Sequence, residues 1–339
     1  MRILVTGGLG FIGTNFIRYM LSEEPQVEII NIDKVGVGSN PANLEDLKKL
    51  DNYRFVRGDI SNPEVVNNLI RDVDAVINFA AETHVDRSVR NPHLFVQSNI
   101  LGTFTLLESI RRHNRSVNFV QVSTDEVYGE IRRGSFHELD RLNPSNPYSA
   151  SKASADMLCR AYHKTYGLNV KITRCTNNFG PYQFPEKLIP KTIIRALKGL
   201  PVPIYGTGEN VRDWIYVVDH CEALRLVLEK GQAGEIYNIS SGNEVPNIKV
   251  VKEILQYLGR DEDLISFVED RPGHDVRYSL DSSKIRSELG WKPRHSFSSA
   301  LKETVRWYIE NESWWKPLAT EKILHPTPWK LNLQMHDEE

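Results

Sequence analysis

Short apolar runs recur along the chain at Ile3–Val5, Val27–Ile32, Tyr53–Val56, Ala75–Phe79, Val117–Val122 and Val170–Thr173. Each is strand-sized and mostly β-branched or aromatic. Runs with so little polar alternation suit strands covered on both faces, as in a parallel sheet. Amphipathic stretches lie between them. After the first run, Ile12, Phe16 and Met20 recur every fourth residue, as do Ile17 and Leu21, which places them on one helix face. The order is βαβα, and it predicts an α/β fold with a doubly wound parallel sheet.

Beyond about residue 180 the pattern loosens. Prolines gather at Pro181, Pro185, Pro190, Pro201 and Pro203, and sheet-like runs follow at Trp214–Val218 and Ile236–Ile239. The expected organisation is a first domain over 1–178, to which 210–240 returns, and a smaller, partly interleaved C-terminal substrate lobe over 179–339. Two long helices, around Leu94–Arg112 and Tyr148–Tyr166, carry apolar or aromatic residues on more than one face. The aromatic and proline-rich end, Trp314 through Trp329, reads as a strap over the surface.

Composition adds mainly exclusions. The formal charge of −2 offers no electrostatic case for binding nucleic acid, although a local basic cluster can still hold an anionic substrate. Cys159, Cys175 and Cys221 show no CxxC spacing, and the ten histidines show no HExxH pair, so no disulfide framework and no metal are expected. Met1-Arg2-Ile3-Leu4-Val5 runs straight into a strand pattern, and no apolar run is long enough to span a membrane. A cytoplasmic protein is the expectation.

Gly7, Gly10 and Gly13 form GxxGxxG between the first strand and the first helix. Small residues there allow a tight turn and a close approach of backbone to pyrophosphate, and the helix N-terminus presents free N–H groups. This is the Rossmann-type arrangement. Asp33, at the end of the second strand, can accept from both ribose hydroxyls and would repel a 2′-phosphate, favouring NAD over NADP. Its bland alternative is a solvated strand end. Asp59 and Ile60, after the third strand, are placed to meet the adenine.

Tyr148 and Lys152 stand four apart, one helical turn on one face. A phenol of pKa about 10 is a poor base at neutral pH. A nearby ammonium and an oxidised nicotinamide favour the phenolate, which could take a hydroxyl proton as hydride leaves the same carbon. Thr124, Asp125 and Glu126 follow the strand at Val117–Val122, at the end where doubly wound sheets bind ligands. Two adjacent carboxyls can divide acid and base roles if their surroundings separate their pKa values. They can equally cap the next turn.

Taken together, GGLGFIG (Gly7–Gly13), NFAAETHVDRS (Asn78–Ser88), STDEVYG (Ser123–Gly129), PYSASK (Pro147–Lys152), RCTNNFGPYQFPEKLIP (Arg174–Pro190), PIYGTGENVRDWIYV (Pro203–Val217) and DRPGHDVRY (Asp270–Tyr278) resemble the dTDP-glucose 4,6-dehydratases, in the extended short-chain dehydrogenase/reductase superfamily. The resemblance covers nearly the whole chain. It implies NAD held by Gly7, Gly10, Phe11, Ile12, Gly13, Asp33, Asp59, Ile60, Ala80, Ala81, Asn99, Tyr148, Lys152 and Asn178. It implies a sugar nucleotide held by His84, Thr124, Asn177, Glu186, Lys187, Pro203, Tyr205, Arg212, Asn247, Arg271 and His274, with Arg212 and Arg271 forked on the diphosphate. Tyr148 would deprotonate the 4-hydroxyl bound by Thr124, Glu126 would serve as base at carbon 5, and Asp125 would protonate the departing 6-hydroxyl. The product would be a 4-keto-6-deoxy sugar nucleotide of the kind that feeds rhamnose and other deoxysugars. The two long helices imply a homodimer through a helix bundle.

The stretch around Gly36–Pro41 departs from the family, leaving contacts after Asp33 open. Val245–Asn247 also departs, leaving base preference open. Other readings are a dehydratase, epimerase or decarboxylase acting on a UDP- or GDP-sugar, and a non-catalytic NAD-sensing protein. The acid pair argues against epimerase and decarboxylase, and retention of Tyr148 and Lys152 argues against the sensor.

Overall fold

The computed structural model describes residues 1–271 and 273–331. Its strands are β1 (Arg2–Thr6), β2 (Glu28–Asp33), β3 (Tyr53–Arg57), β4 (Ala75–Asn78), β5 (Asn118–Thr124), β6 (Val170–Cys175), β7 (Asn177–Phe179), β8 (Val202–Tyr205), β9 (Val211–Tyr216), β10 (Ile236–Ile239), β11 (Glu244–Pro246) and β12 (Ile265–Val268). Among the described residues, seven form one sheet in the order β10-β6-β5-β4-β1-β2-β3. Every neighbour in it runs parallel. The doubly wound Rossmann-type architecture is therefore present, and each of the first six apolar runs is a strand of this sheet.

The period-2 pleat divides these strands between two cores. Ile3 and Val5 face one side with Ala75, Ile77 and Val120, under the helices Phe11–Glu23 and Val217–Lys230. Leu4 faces the other with Val76 and Phe119, under Pro63–Ile70, Gly102–His113 and Pro147–Tyr166. The strand order reverses between β1 and β4, so the crevice beyond their carboxyl ends is the natural ligand site.

After β6 the chain leaves the main sheet. β7 pairs with β9 and β9 with β11 in a small second sheet, while β8 pairs with β12. The small sheet packs on a third core containing Phe179, Ile193, Trp214, Val250, Leu301 and Tyr308, while β8 and β12 pack on a fourth, smaller one with Val202, Ile204, Val251 and Leu255. β10 returns to pair with β6.

Two elements differ from the periodicity. The Trp214–Val218 run is not one strand: β9 ends at Tyr216 and Val217 opens a helix, because its buried face packs on the main sheet. The stretch Leu94–Arg112 is not one α-helix either. A π-helical turn, Val96–Leu101, separates Pro92–Phe95 from Gly102–His113. Such turns re-aim side chains and gather at functional sites. No helix among the described residues is long and apolar enough to cross a membrane.

Candidate active site

The glycine loop follows β1. Gly7 has φ +68°, and a Cβ there would lie 2.7 Å from Ala80 backbone atoms, so β1 and β4 close up only around glycine. A Cβ on Gly13 would meet Gly7 O at 2.6 Å. The helix starts after Gly10 with no side chain capping it, and the Thr14 N–H is the first to reach back, to Gly10 O at 2.9 Å. The amides of Phe11, Ile12 and Gly13 are thus left at a cleft that these residues line.

Asp33 stands at the cleft edge. Its Oδ2 accepts from Leu9 N–H at 3.0 Å, and its Oδ1 from Val35 N–H at 2.8 Å and Ser39 Oγ at 2.9 Å. Burial raises its pKa and these bonds oppose the rise. Asp33 is therefore a pinned group rather than a solvated strand end. Val35 pays for its bond with a φ of +62°, strained for a β-branched residue. Ser39, in the stretch that departs from the family, supplies a bond to the carboxylate. Asp59 and Ile60 line the same end, with Asp59 accepting from Ser61 N–H and Oγ, each at 2.8 Å.

Ala80 and Ala81 line the cleft, but Asn99 does not. Its carboxamide braces the loop behind: Oδ1 accepts from Glu82 N–H at 2.8 Å, and Nδ2 donates to Glu82 O at 3.0 Å and Ser151 Oγ at 2.8 Å. The π-helical turn aims Asn99 inward and presents Ser98 to the cleft instead. Sequence reasoning missed Ser98 because it read this stretch as one regular helix.

The catalytic candidates converge. Tyr148 and Lys152 lie near the start of Pro147–Tyr166, which Asn146 and Ser149 cap reciprocally. Thr124, Asp125 and Glu126 lie where β5 runs into a 3₁₀ turn, and all five line the cleft. Neither carboxyl caps that turn. Thr124 does so, its Oγ1 accepting from Glu126 N–H at 3.3 Å. Thr124 Oγ1 also lies 3.1 Å from Asp125 Oδ1. Asp125 Oδ2 and Glu126 Oε2 are buried without hydrogen-bond partners.

Electrostatics separates the two acids. Burial, then the neighbouring Glu126, lifts Asp125 to about 8, so it is protonated at neutral pH. Burial also raises Glu126, but Arg271, Arg212 and Lys187 oppose it. Burial, then Glu126 and Cys175, pushes the Tyr148 phenol well up. Lys152 donates to Val122 O at 2.6 Å, and burial lowers its pKa while Asp156 opposes that. The protein alone thus holds Tyr148 as a phenol, and a further positive charge beside it is what ionisation requires.

Asn177, Glu186 and Lys187 carry the cleft onward to a basic cluster. His84 is buried there, and burial with Lys187, Arg87, Lys191 and Arg271 pushes it well down, so it is neutral. Arg271 Nη1 meets Asp86 Oδ1 at 3.1 Å, while its Nε is buried without a partner. Arg212 donates to the carbonyls of Val211 at 2.7 Å and Asp275 at 2.9 Å and lies over the Tyr278 ring. Of the two arginines, Arg271 keeps the freer fork. His274 Nδ1–H donates to Asp270 Oδ1, 2.6 Å away, and the ring is pushed down to about 4 by burial and then Arg271. Its ring stands edge-on to Tyr205, which also meets Trp329 at 4.6 Å. The C-terminal strap therefore reaches this end. Asn247, with a buried unpartnered Oδ1, lies just beyond Val245, the register partner of Arg212. Pro203 is buried within β8 opposite Ser266 and, like His84, Tyr205, Arg212, Asn247, Arg271 and His274, is not among the residues that line the cleft itself. In the Asp270–Tyr278 block, Pro272 lies outside the described residues.

The family described as GDP-mannose 4,6 dehydratase matches residues 4–304. A dTDP-glucose 4,6-dehydratase of Streptomyces niveus is 50% identical over 326 residues, 94% of this chain and 96% of the relative. The chain belongs to the dTDP-glucose 4,6-dehydratase family. The solved structure of that enzyme from Streptomyces venezuelae, with NAD and TYD bound, superposes with a TM-score of 0.92 at 48% identity, over 94% of this chain and all of the other. A Bacillus cereus UDP-glucuronic acid 4-epimerase, in complex with UDP-glucuronic acid and NAD, superposes at 0.86 but with 29% identity, over 91% of this chain and 99% of its own. The fold is thus common to dehydratases and epimerases, and fold alone does not separate the two activities.

Proposed function

We infer that this protein is an NAD-dependent hydro-lyase that removes water from dTDP-glucose to give dTDP-4-keto-6-deoxyglucose. The carrying observation is the acid pair beside Tyr148: Asp125 and Glu126 each hold a buried, unpartnered oxygen, in surroundings that leave the first protonated. Oxidation alone needs no such pair, whereas elimination of water needs both a base and an acid.

The glycine loop, the open amides of Phe11 to Gly13 and the pinned Asp33 fit a dinucleotide with a free 2′-hydroxyl. NAD, when bound, accepts hydride from carbon 4 of the sugar, returns it to carbon 6, and brings the positive charge that Tyr148 lacks. Thr124 orients the 4-hydroxyl and Tyr148 removes its proton. Glu126 takes the carbon 5 proton that the new ketone acidifies, and Asp125 delivers its proton to the departing 6-hydroxyl. Glu126 then reprotonates carbon 5. Arg271 and Lys187 supply cations for the diphosphate, and neutral His84 and His274 add hydrogen bonds without further charge.

The same reading assigns residues 1–178, with 210–240, to cofactor binding and most of 179–339 to the sugar nucleotide, although within 210–240 β9 joins the second sheet and only the helix Val217–Lys230 and β10 return to the main one. It includes a homodimer. Leu94, Val96, Leu101 and Phe104 on one helical stretch, and Met157 and Tyr166 on the helix packed beside it, are all exposed apolar or aromatic side chains. It also places the protein in the cytoplasm, consistent with three buried, unpaired cysteines.

The test incubates the protein with a trace of NAD and dTDP-glucose, in parallel with UDP-glucose and GDP-mannose, and follows each by mass spectrometry. Loss of one water from dTDP-glucose without net NADH is expected. Water loss only from another nucleotide would correct the base. No water loss from any would overturn the roles given to Asp125 and Glu126. Light scattering that finds only monomer would remove the dimer.

A further inference from the structure

The wall where β6 passes into β7 carries more polar chemistry than the steps above use. Asn178 lines the cleft there, but its carboxamide is already engaged by the protein. Nδ2 donates to Thr176 O at 3.0 Å and Cys175 Sγ at 3.4 Å, and Oδ1 lies 2.9 Å from His220 Nδ1. Burial pushes His220 down to about 3, so its ring is neutral and its Nδ1–H is the donor.

Two neighbours are not so engaged. Thr176 and Gln183 line the same cleft as Tyr148 and Lys152, and both are more than nine-tenths buried. Gln183 Nε2 donates to Asn178 O at 2.8 Å, which settles the orientation of its amide and leaves Oε1 as the remaining group. That Oε1 and Thr176 Oγ1 are both buried without a hydrogen-bond partner. Buried polar atoms left unpaired are costly, and they persist where a ligand supplies the partner. Both side chains line the cleft, so a bound ligand can supply the missing partner while the Nε2 bond to Asn178 O holds the amide in place.

The backbone at this wall is held against strain. Tyr182, next to Gln183, has φ +65°. Its ring is clamped by Trp307 at 4.8 Å, Trp314 at 5.8 Å and Arg18 at 5.1 Å, and Tyr308 OH donates to Gln183 O. Strain that the surroundings over-determine in this way marks a side chain placed for a task.

We propose that Thr176 and Gln183 form a subsite for the primary carboxamide on the reactive ring of the dinucleotide. Thr176 Oγ1–H donates to the amide oxygen and Gln183 Oε1 accepts from the amide N–H. One donor and one acceptor match the two faces of a primary amide, and the wall they occupy is the one that Tyr148 and Lys152 share. The proposal rests on the reading of this cleft as an NAD site.

The experiment measures binding of NAD and of its 3-acetylpyridine analogue to protein stripped of nucleotide, by equilibrium dialysis. The analogue keeps the carbonyl and replaces the amide nitrogen with methyl. The wild-type chain is expected to prefer NAD about tenfold. Gln183→Leu should bring the ratio to about one, and Thr176→Val should weaken both ligands alike. Gln183→Met serves if the leucine variant does not fold. A ratio unchanged in a folded Gln183 variant overturns the subsite. So does unchanged binding of both dinucleotides with a raised KM for the sugar nucleotide. Failure of the wild-type chain to bind NAD at all would instead overturn the cofactor reading, and the subsite with it.

Discussion

Thr124 Oγ1 donates to Asp125 Oδ1 over 3.1 Å, while the other oxygen of that carboxyl is buried with no partner. One hydrogen bond from a neutral hydroxyl does not offset removal from water beside a second acid, so Asp125 rises to about 8. A group whose folded pKa lies above its unfolded value contributes stability at low pH that is lost as pH climbs through the folded value. Asp125→Asn cannot ionise. Calorimetric melting of the unliganded protein should therefore show the wild type losing ground to Asp125→Asn between about pH 4 and pH 8. Parallel curves would mean that Asp125 titrates as an ordinary carboxyl.

The two acids should separate kinetically. Glu126→Gln should still reduce NAD transiently with dTDP-glucose yet block solvent-hydrogen exchange at carbon 5. Asp125→Asn should slow water loss by about 10²- to 10⁴-fold while oxidation is affected less. Rapid-quench mass spectrometry in deuterated water resolves both steps. Normal exchange in Glu126→Gln would reject it as the base.

Gly13→Ala would bring a Cβ to 2.6 Å from Gly7 O and 2.8 Å from Gly8 Cα. Both are backbone atoms of the loop, so neither can yield alone. The variant should lose tight NAD binding by more than tenfold, read by dialysis of the purified protein. Gly167→Ala is the control: its Cβ meets nothing, and only its φ of +67° opposes the change.

Arg174 Nε meets Asp156 Oδ2 at 2.9 Å with both side chains out of solvent, and Arg174 also donates to Tyr128 OH at 2.7 Å and Glu138 O at 3.2 Å. Removing one partner strands a buried charge. Asp156→Ala should cost about 3–5 kcal/mol in urea unfolding, and the double variant with Arg174→Met should recover part of it. A loss under about 1 kcal/mol in Asp156→Ala would show water replacing the carboxylate.

Arg271 offers a fork anchored by Asp86 at 3.1 Å. Lysine keeps the charge but not the two-pronged geometry. Arg271→Lys should raise the KM for the sugar nucleotide about tenfold with a smaller change in kcat, as steady-state kinetics would show. A fall in kcat at unchanged KM would move Arg271 from binding to chemistry.

The sequence by itself determined the layers and the chemistry borne on local geometry. Apolar runs too continuous for a half-exposed sheet had to be parallel strands, and β1 to β6 are those runs. The glycine spacing and the Tyr148–Lys152 step are legible because a turn and a helical period act over a few residues. The Thr124–Glu126 triplet is legible for the same reason, since a strand end and the turn after it are one local unit.

What only tertiary structure decided depends on partners distant in the chain. Val217 is β-branched and reads as strand, yet it opens a helix because packing on the main sheet outweighs propensity. Asn99 turns away from the cleft and Ser98 lines it because both lie within the π-helical turn Val96–Leu101, where the sequence period predicts a regular helix. Asp125 and Glu126 are equal in sequence. Burial acts on both and Arg212 offsets it for both, but Arg271 and Lys187, 145 and 61 residues beyond Glu126, oppose it at Glu126, while Glu126 itself raises Asp125 further. The engagement of Asn178 by His220, and the unpartnered oxygens of Thr176 and Gln183, come from the same cause: hydrogen-bond satisfaction is counted across the whole fold.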